Sequence, residues 1–161
     1  MALTPAQITT LKAAILAETN ATFVEYRNSG ATGAMAEWYN VAISPVQKAW
    51  ITAQPPQDSD DAPDYSTFDS IAAGKRESWG FFLAYPRDFT RNKVRKWVTD
   101  VWGNATAASN SEAILQAATR NATRGEIVFG GTTRTTGTVS ALQLNRDGTL
   151  SNEDVVLAVN A

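Results

Sequence analysis

The sequence predicts a mainly α-helical protein. Residues 1–131 read as a helical bundle, and residues 132–161 as a C-terminal extended arm with a small β-hairpin and a terminal helical turn. Three observations lead there. Helix-start signatures recur along the first part, apolar residues between them return every three or four positions, and after Gly131 the chain turns abruptly to threonine. A chain of 161 residues, 43% apolar and 19% charged, is long enough for one domain with a real core. No repeat and no linker divides it into two cores.

In Thr4-Pro5-Ala6-Gln7 a threonine caps free amides, proline takes the first helical position and glutamine reaches back, so a helix is expected over 5–19. Ile8, Leu11 and Ile15 form its apolar stripe. Phe23, Val24 and Tyr26 suit a short helix over 22–28, ended by Asn28-Ser29-Gly30, and a third over 33–41 gathers Met35, Trp38 and Tyr39. Ser44-Pro45-Val46-Gln47 repeats the first cap and predicts a short helix carrying Trp50. Residues 54–64, with three prolines and four aspartates, read as an exposed acidic loop.

Phe68, Ile71, Trp79, Phe82 and Leu83 keep a helical period over 66–84, and Val94, Trp97, Val98 and Val101 keep one over 91–102. Ser109-Asn110-Ser111-Glu112 reads as the start of the longest helix, in which Ile114, Leu115, Ala118, Ala122, Ile127 and Phe129 recur until Gly130, with Gly125 as a kink. The threonine run 132–138 is too polar for core and reads as an arm. Val139 to Leu144 suit a strand, Asn145-Arg146-Asp147-Gly148 a hairpin turn toward Thr149 and Leu150, and Ser151 caps a last helical turn with Val155, Val156 and Leu157.

With neither cysteine nor histidine, disulfides, thiolate and imidazole metal sites and every nucleophile–base pair built on imidazole are excluded. The segment 1–17 is interrupted by Thr4, Gln7, Thr9, Thr10 and Lys12 and does not read as a secretory signal. No stretch approaches the roughly 18–20 apolar residues of a membrane span, so no membrane partner is expected. Three Asn-Ala-Thr triplets, at Asn20, Asn104 and Asn121, match a glycosylation acceptor pattern but read as turn and helix-surface residues.

Asp58, Asp60, Asp61 and Asp64 are spaced superficially like a calcium loop, without its sharp-turn glycine or closing glutamate, and a solvated loop is the competing reading. No catalytic, cofactor-binding or metal-binding residue is assigned, and no acid pair is spaced for a carboxylate hydrolase. The basic stretch Lys75, Arg76, Arg87, Arg91, Lys93, Arg95 and Lys96 faces only Glu77 and Asp88 within the same span. Interleaved with Trp79, Tyr85, Phe89 and Trp97, it suits contact with DNA or with a protein partner, such as the acidic loop of an adjacent copy; a solvated face, with the tryptophans in the core, is the alternative. Five tryptophans point to core and interface anchoring.

Leu3-Thr4-Pro5-Ala6-Gln7 with Leu11-Lys12-Ala13-Ala14-Ile15, then Ala36-Glu37-Trp38-Tyr39-Asn40, and the stretches Ala122 to Gly130 and Asp147 to Val156 resemble small head-to-tail connector, or neck, proteins of tailed bacteriophages. The resemblance implies a non-enzymatic virion protein, an adaptor bound beneath the portal and joining the DNA-filled head to the tail. It implies a homo-oligomeric ring of about twelve copies, with the portal protein and tail or nozzle proteins as partners, possible contact with packaged DNA, and assembly in the host cytoplasm. A capsid-decorating or tail-completion protein and a DNA-binding module are the alternatives.

Overall fold

The computed structural model describes residues 2–104 and 107–161 of the chain. In chain order come α1 (Pro5–Ala17), α2 (Ala21–Ser29), α3 (Thr32–Asn40), strand β1 (Lys48–Trp50), α4 (Pro56–Asp60), a 3-10 turn (Tyr65–Ser70), α5 (Ala73–Phe82), α6 (Asn92–Trp102) and α7 (Ala108–Ala117). β2 (Thr119–Asn121), α8 (Arg124–Val128), β3 (Gly131–Thr136), β4 (Val139–Leu144) and α9 (Asn152–Asn160) follow. Helix takes 55% and strand 14%, with the strands in one four-stranded mixed sheet, so the fold is α/β and not the mainly helical bundle with an arm and small hairpin that the sequence suggests. Among the described residues no helix is long and apolar enough to cross a membrane.

Two compact units divide the chain, each assembled from separated stretches, so no single linker marks the division. The first holds the residues up to Gln47, with Asn121–Thr132 and Leu144–Ala161. Its helices start where local chemistry satisfies their free amides. Thr4 Oγ1 accepts from the Gln7 amide at 3.3 Å while Gln7 Oε1 accepts from the Thr4 amide at 2.9 Å, and Asn20 Oδ1 takes the Thr22 and Phe23 amides at the start of α2. Ser151 with Asp154, and Thr123 with Glu126, close the same kind of box at α9 and α8. Gly30 ends α2 with φ 70°, a left-handed conformation that costs glycine nothing.

Leu11, Ile15, Phe23, Met35, Tyr39, Val155 and Ala158 are buried together as this unit's core. Each large apolar side chain contributes about 1.5–3 kcal/mol on burial, which is why α9 packs on α1 and α3. Asn40 fixes the approach to α9 by a two-way bond: its Nδ2 donates to the Leu150 carbonyl at 2.8 Å, and the Leu150 amide donates to its Oδ1 at 2.7 Å. Residues 145–148 therefore do not fold back as the turn of a hairpin. They lead into Leu150, which joins the core.

The second unit holds Lys48–Arg120 and Thr133–Gln143. Trp50, Ile71, Trp79, Phe82, Phe89, Val98 and Trp102 form its core, with Trp79 stacked on Phe82 at 4.7 Å and edge-on to Trp102 at 5.6 Å. The helix expected after Ser44 gives way to β1, because Ala49 and Trp50 are both buried and Ala49 pairs in parallel with Leu142. Residues 66–84 split at Ile71, where the 3-10 turn stops and α5 begins two residues later. The acidic segment is partly folded as α4, with Pro56 at its start and Ser59 buried.

The long helix expected from 109 to 129 is broken into α7, β2 and α8. Its alanine period survives because Ala118 and Ala122 are buried, yet the Ile51 amide donates to the Ala118 carbonyl at 3.0 Å and residues 119–121 join the sheet. The sheet order is β2-β1-β4-β3. The threonine run is the edge strand β3, and the hairpin turn lies at Gly137-Thr138, with Gly137 at φ 59° in the first turn position. Thr135 Oγ1 and Ser140 Oγ, opposite each other across the hairpin, share a hydrogen bond of 2.7 Å. The arm thus finds its strand partner within its own chain. The Asn104 triplet runs into residues 105–106, outside the described residues.

Candidate functional site

Three of the four aspartates of the acidic segment, Asp60, Asp61 and Asp64, are engaged by near neighbours. The Tyr65 hydroxyl donates to Asp60, Gln57 Nε2 donates to Asp61 at 2.7 Å, and Asp64 accepts from the Ser66 amide and hydroxyl at 2.9 and 2.8 Å. Those two bonds, the backbone one foremost, hold the Asp64 carboxyl below the usual carboxylate range. Burial, then the bond to Asp60, pushes Tyr65 up to about 12. Among the described residues no three acidic side chains gather as a metal site.

The basic stretch does not form one continuous patch of free cations. Arg87 turns back on its own segment, donating to the Phe81 and Phe82 carbonyls, and lies over the rings of Phe82 and Trp97 at 5.1 and 5.0 Å. Arg76 pairs with Asp69 at 2.8 Å, Arg91 with Asp88 at 3.0 Å, and Lys96 with Asp100 one helical turn on at 3.1 Å. Lys75 and Lys93 are exposed and have no ion-pair partner among the described residues.

Arg95 is the exception, a cation only 2% exposed. It sits on the inner face of α6 because its planar fork meets three acceptors there. Nη1 donates to the Phe89 and Thr90 carbonyls at 2.5 and 2.7 Å, and Nε to Thr136 Oγ1 at 2.9 Å, while the guanidinium lies 4.9 Å from the Trp50 ring. Burial foremost, then the charge of Arg134, pushes its pKa below the ordinary arginine value, with Asp88 opposing. Arg134, on β3, donates from Nε to Gln143 Oε1 at 3.2 Å.

These groups border a cavity of about 550 Å³ between the start of α6 and the β3–β4 hairpin. Thr90, Arg91, Asn92 and Arg95 line it from the helix side. Arg134 and Gln143 line it from the hairpin, with Thr133 and Thr135 on the edge strand. Among the described residues no carboxylate lines it. Of the seven basic residues singled out in sequence, the fold brings only Arg91 and Arg95 to this place. Arg134 is the one sequence reasoning missed; it lies on a strand that reads as a polar arm, and only the hairpin register returns it to α6.

The first unit has its own cavity, of about 480 Å³, bordered by Trp38, Tyr39, Glu18 and Arg124. The Arg124 guanidinium lies 4.1 Å from the Trp38 ring and donates to the Trp38 carbonyl at 3.0 Å. That arrangement pins α3 and α8 together within this unit and leaves the cation already occupied.

Comparison of the chain with protein-family models, with curated proteins and with solved structures returns no match.

Proposed function

We propose that the protein is a structural assembly protein of a tailed-phage virion, a head-to-tail adaptor that works as a homo-oligomeric ring on the portal. The observation that carries the assembly reading is the placement of aromatic bulk in the second unit. Trp50, Trp79 and Trp102 are fully buried there, whereas Phe81 in the last turn of α5 is 64% exposed and Tyr85, beyond the end of that helix, 69% exposed. A core able to hide three tryptophans leaves those two rings outside it, and exposed aromatics of this size serve as anchors between proteins. Burying such a ring against a neighbour contributes about 1.5–3 kcal/mol, and a closed ring of copies repeats the gain at every interface. The phage neck as the setting is supported by the sequence resemblance.

Mass photometry of the purified protein, alone and mixed with a portal protein, tests the reading. Oligomers or a portal complex are expected, and Phe81→Ser with Tyr85→Ser is expected to shift them to monomer while the far-ultraviolet dichroism is unchanged. A persistent monomer that ignores the portal overturns it. The alternative of a DNA-binding module draws on one observation, the arginine-lined cavity.

A further inference from the structure

We propose that the cavity between the start of α6 and the β3–β4 hairpin binds a phosphate group. The proposal goes beyond the assembly reading and stands without it. Three guanidinium groups, of Arg91, Arg95 and Arg134, border one cavity, and among the described residues Asp88 is the carboxylate paired with them, through Arg91. Like charges brought together in this way repel: burial is the larger cause of the lowered Arg95 pKa, and the charge of Arg134 adds to it. An anion between them converts that repulsion into attraction.

The donors are also held in place before any ligand arrives. Arg95 is anchored through Nε and Nη1, so its Nη2 has a fixed direction and makes no hydrogen bond among the described residues. Arg91 is the N-cap of α6 and makes no side-chain capping bond to its first amides, so the positive end of an eleven-residue helix lies beside the same cavity. On the opposite side, the two-residue turn at Gly137-Thr138 makes Thr136 and Val139 the first hydrogen-bonded pair of the hairpin. By the alternation of an antiparallel ladder, the Thr133 and Thr135 backbone groups then face away from β4, along the open edge of β3.

Phosphate fits this set better than a carboxylate does. Donors approach from two sides, the helix start and the strand edge, and a tetrahedral group offers oxygens to both, whereas the two oxygens of a carboxylate point one way. Arginine forks match phosphate oxygens in pairs. At about 550 Å³ the cavity has room for the remainder of a phosphoester as well as the phosphate itself. Inorganic phosphate and the phosphodiester of a nucleic-acid strand share this chemistry, and the experiment separates them.

Isothermal titration of the full chain at low ionic strength is run with inorganic phosphate, with a short duplex DNA and with acetate, on the wild type, Arg134→Gln and Lys75→Gln. Thermal melts confirm that both variants fold; each removes one positive charge, and Arg134 is exposed, so its replacement leaves the core intact. Binding of phosphate or of DNA is expected, weakened about tenfold or more by Arg134→Gln and left unchanged by Lys75→Gln, with acetate failing to bind. Phosphate binding marks a site for the free ion or a monoester; DNA binding without phosphate binding marks a phosphodiester site. The proposal is overturned if neither binds, if acetate binds as well as phosphate, or if Lys75→Gln weakens binding as much as Arg134→Gln. None of these results depends on the oligomeric state that tests the assembly reading.

Discussion

Replacing Arg95 by methionine keeps the aliphatic stem and removes the guanidinium, which makes it a direct test of why a cation is buried in the second unit. The Phe89 and Thr90 carbonyls lose donors at 2.5 and 2.7 Å, Thr136 Oγ1 loses one at 2.9 Å, and the Trp50 ring loses the cation 4.9 Å away. A hydrogen bond from a charged donor is worth about 1.5–3 kcal/mol, so three at the low end amount to about 4.5 kcal/mol. Against this stands the cost of keeping a guanidinium out of water, which the lowered pKa reveals and which methionine does not carry. Allowing about 1–2 kcal/mol for that relief leaves a net loss of about 3 kcal/mol. Urea unfolding followed by tryptophan fluorescence measures it, with an unchanged dependence on denaturant showing that the folded state is preserved. Arg95→Lys keeps the charge but not the fork and is expected to recover only part of the loss. A loss below about 1 kcal/mol for methionine, or full recovery by lysine, would refute the argument that a directional three-acceptor fork holds α6 in place.

Asn110 copies a backbone partner inside the second unit: its Oδ1 accepts from the Asp64 amide at 2.8 Å and its Nδ2 donates to the Asp64 carbonyl and to Thr67 Oγ1, both at 2.9 Å. Asn110→Ala is expected to cost about 1–2 kcal/mol, because Asp64 is exposed and water replaces part of what is lost; faster hydrogen exchange at the Asp64 amide should accompany it. Gly125→Ala places a methyl group 3.1 Å from Leu150 Cδ1 and 3.3 Å from the Tyr39 carbonyl, and a loss of about 1–3 kcal/mol in the thermal or urea melt is expected from that overpacking. Tyr39 is raised to about 12 by burial, then by Glu18, with Arg27 opposing. The stability its neutral form contributes is therefore complete below pH 10 and is lost as pH climbs toward 12, since the unfolded chain ionises first; the limit is about 3 kcal/mol. Tyr39→Phe should flatten that alkaline decline, and identical stability-versus-pH curves for wild type and variant above pH 10 would count against the shift.

What the sequence made legible was local. Thr4 with Gln7 is close enough to announce its helix and the box forms as read, while Ser151, read as the cap of a last helical turn, caps the nine-residue α9. What it concealed was decided over long separations. β1 and β2 are three residues each, too short to show alternation, and β1 pairs with a strand about ninety positions away through Ala49 and Leu142. The helix expected after Ser44 and the unbroken helix through Ala118 and Ala122 both fail there, since strand pairing together with the burial of Ala49 and Trp50 outweighs helix propensity. The box that starts α8, Thr123 with Glu126, was present in the sequence but hidden inside the supposed long helix. At the cavity, Arg91 and Arg95 stood out as charges in sequence, but the burial of Arg95 did not, because a cation on an apolar helix face looks like an outward residue until its acceptors are known. Arg134 carried no signal of its own, since its placement depends on a hairpin register set by Gly137.

The core of the first unit joins helices far apart in sequence, with α1 and α3 from the stretch up to Gln47 and α9 from Leu144–Ala161. Deleting residues 150–161 takes Leu150 and α9 out of that core, so their loss is a folding lesion and not the removal of a spare appendage.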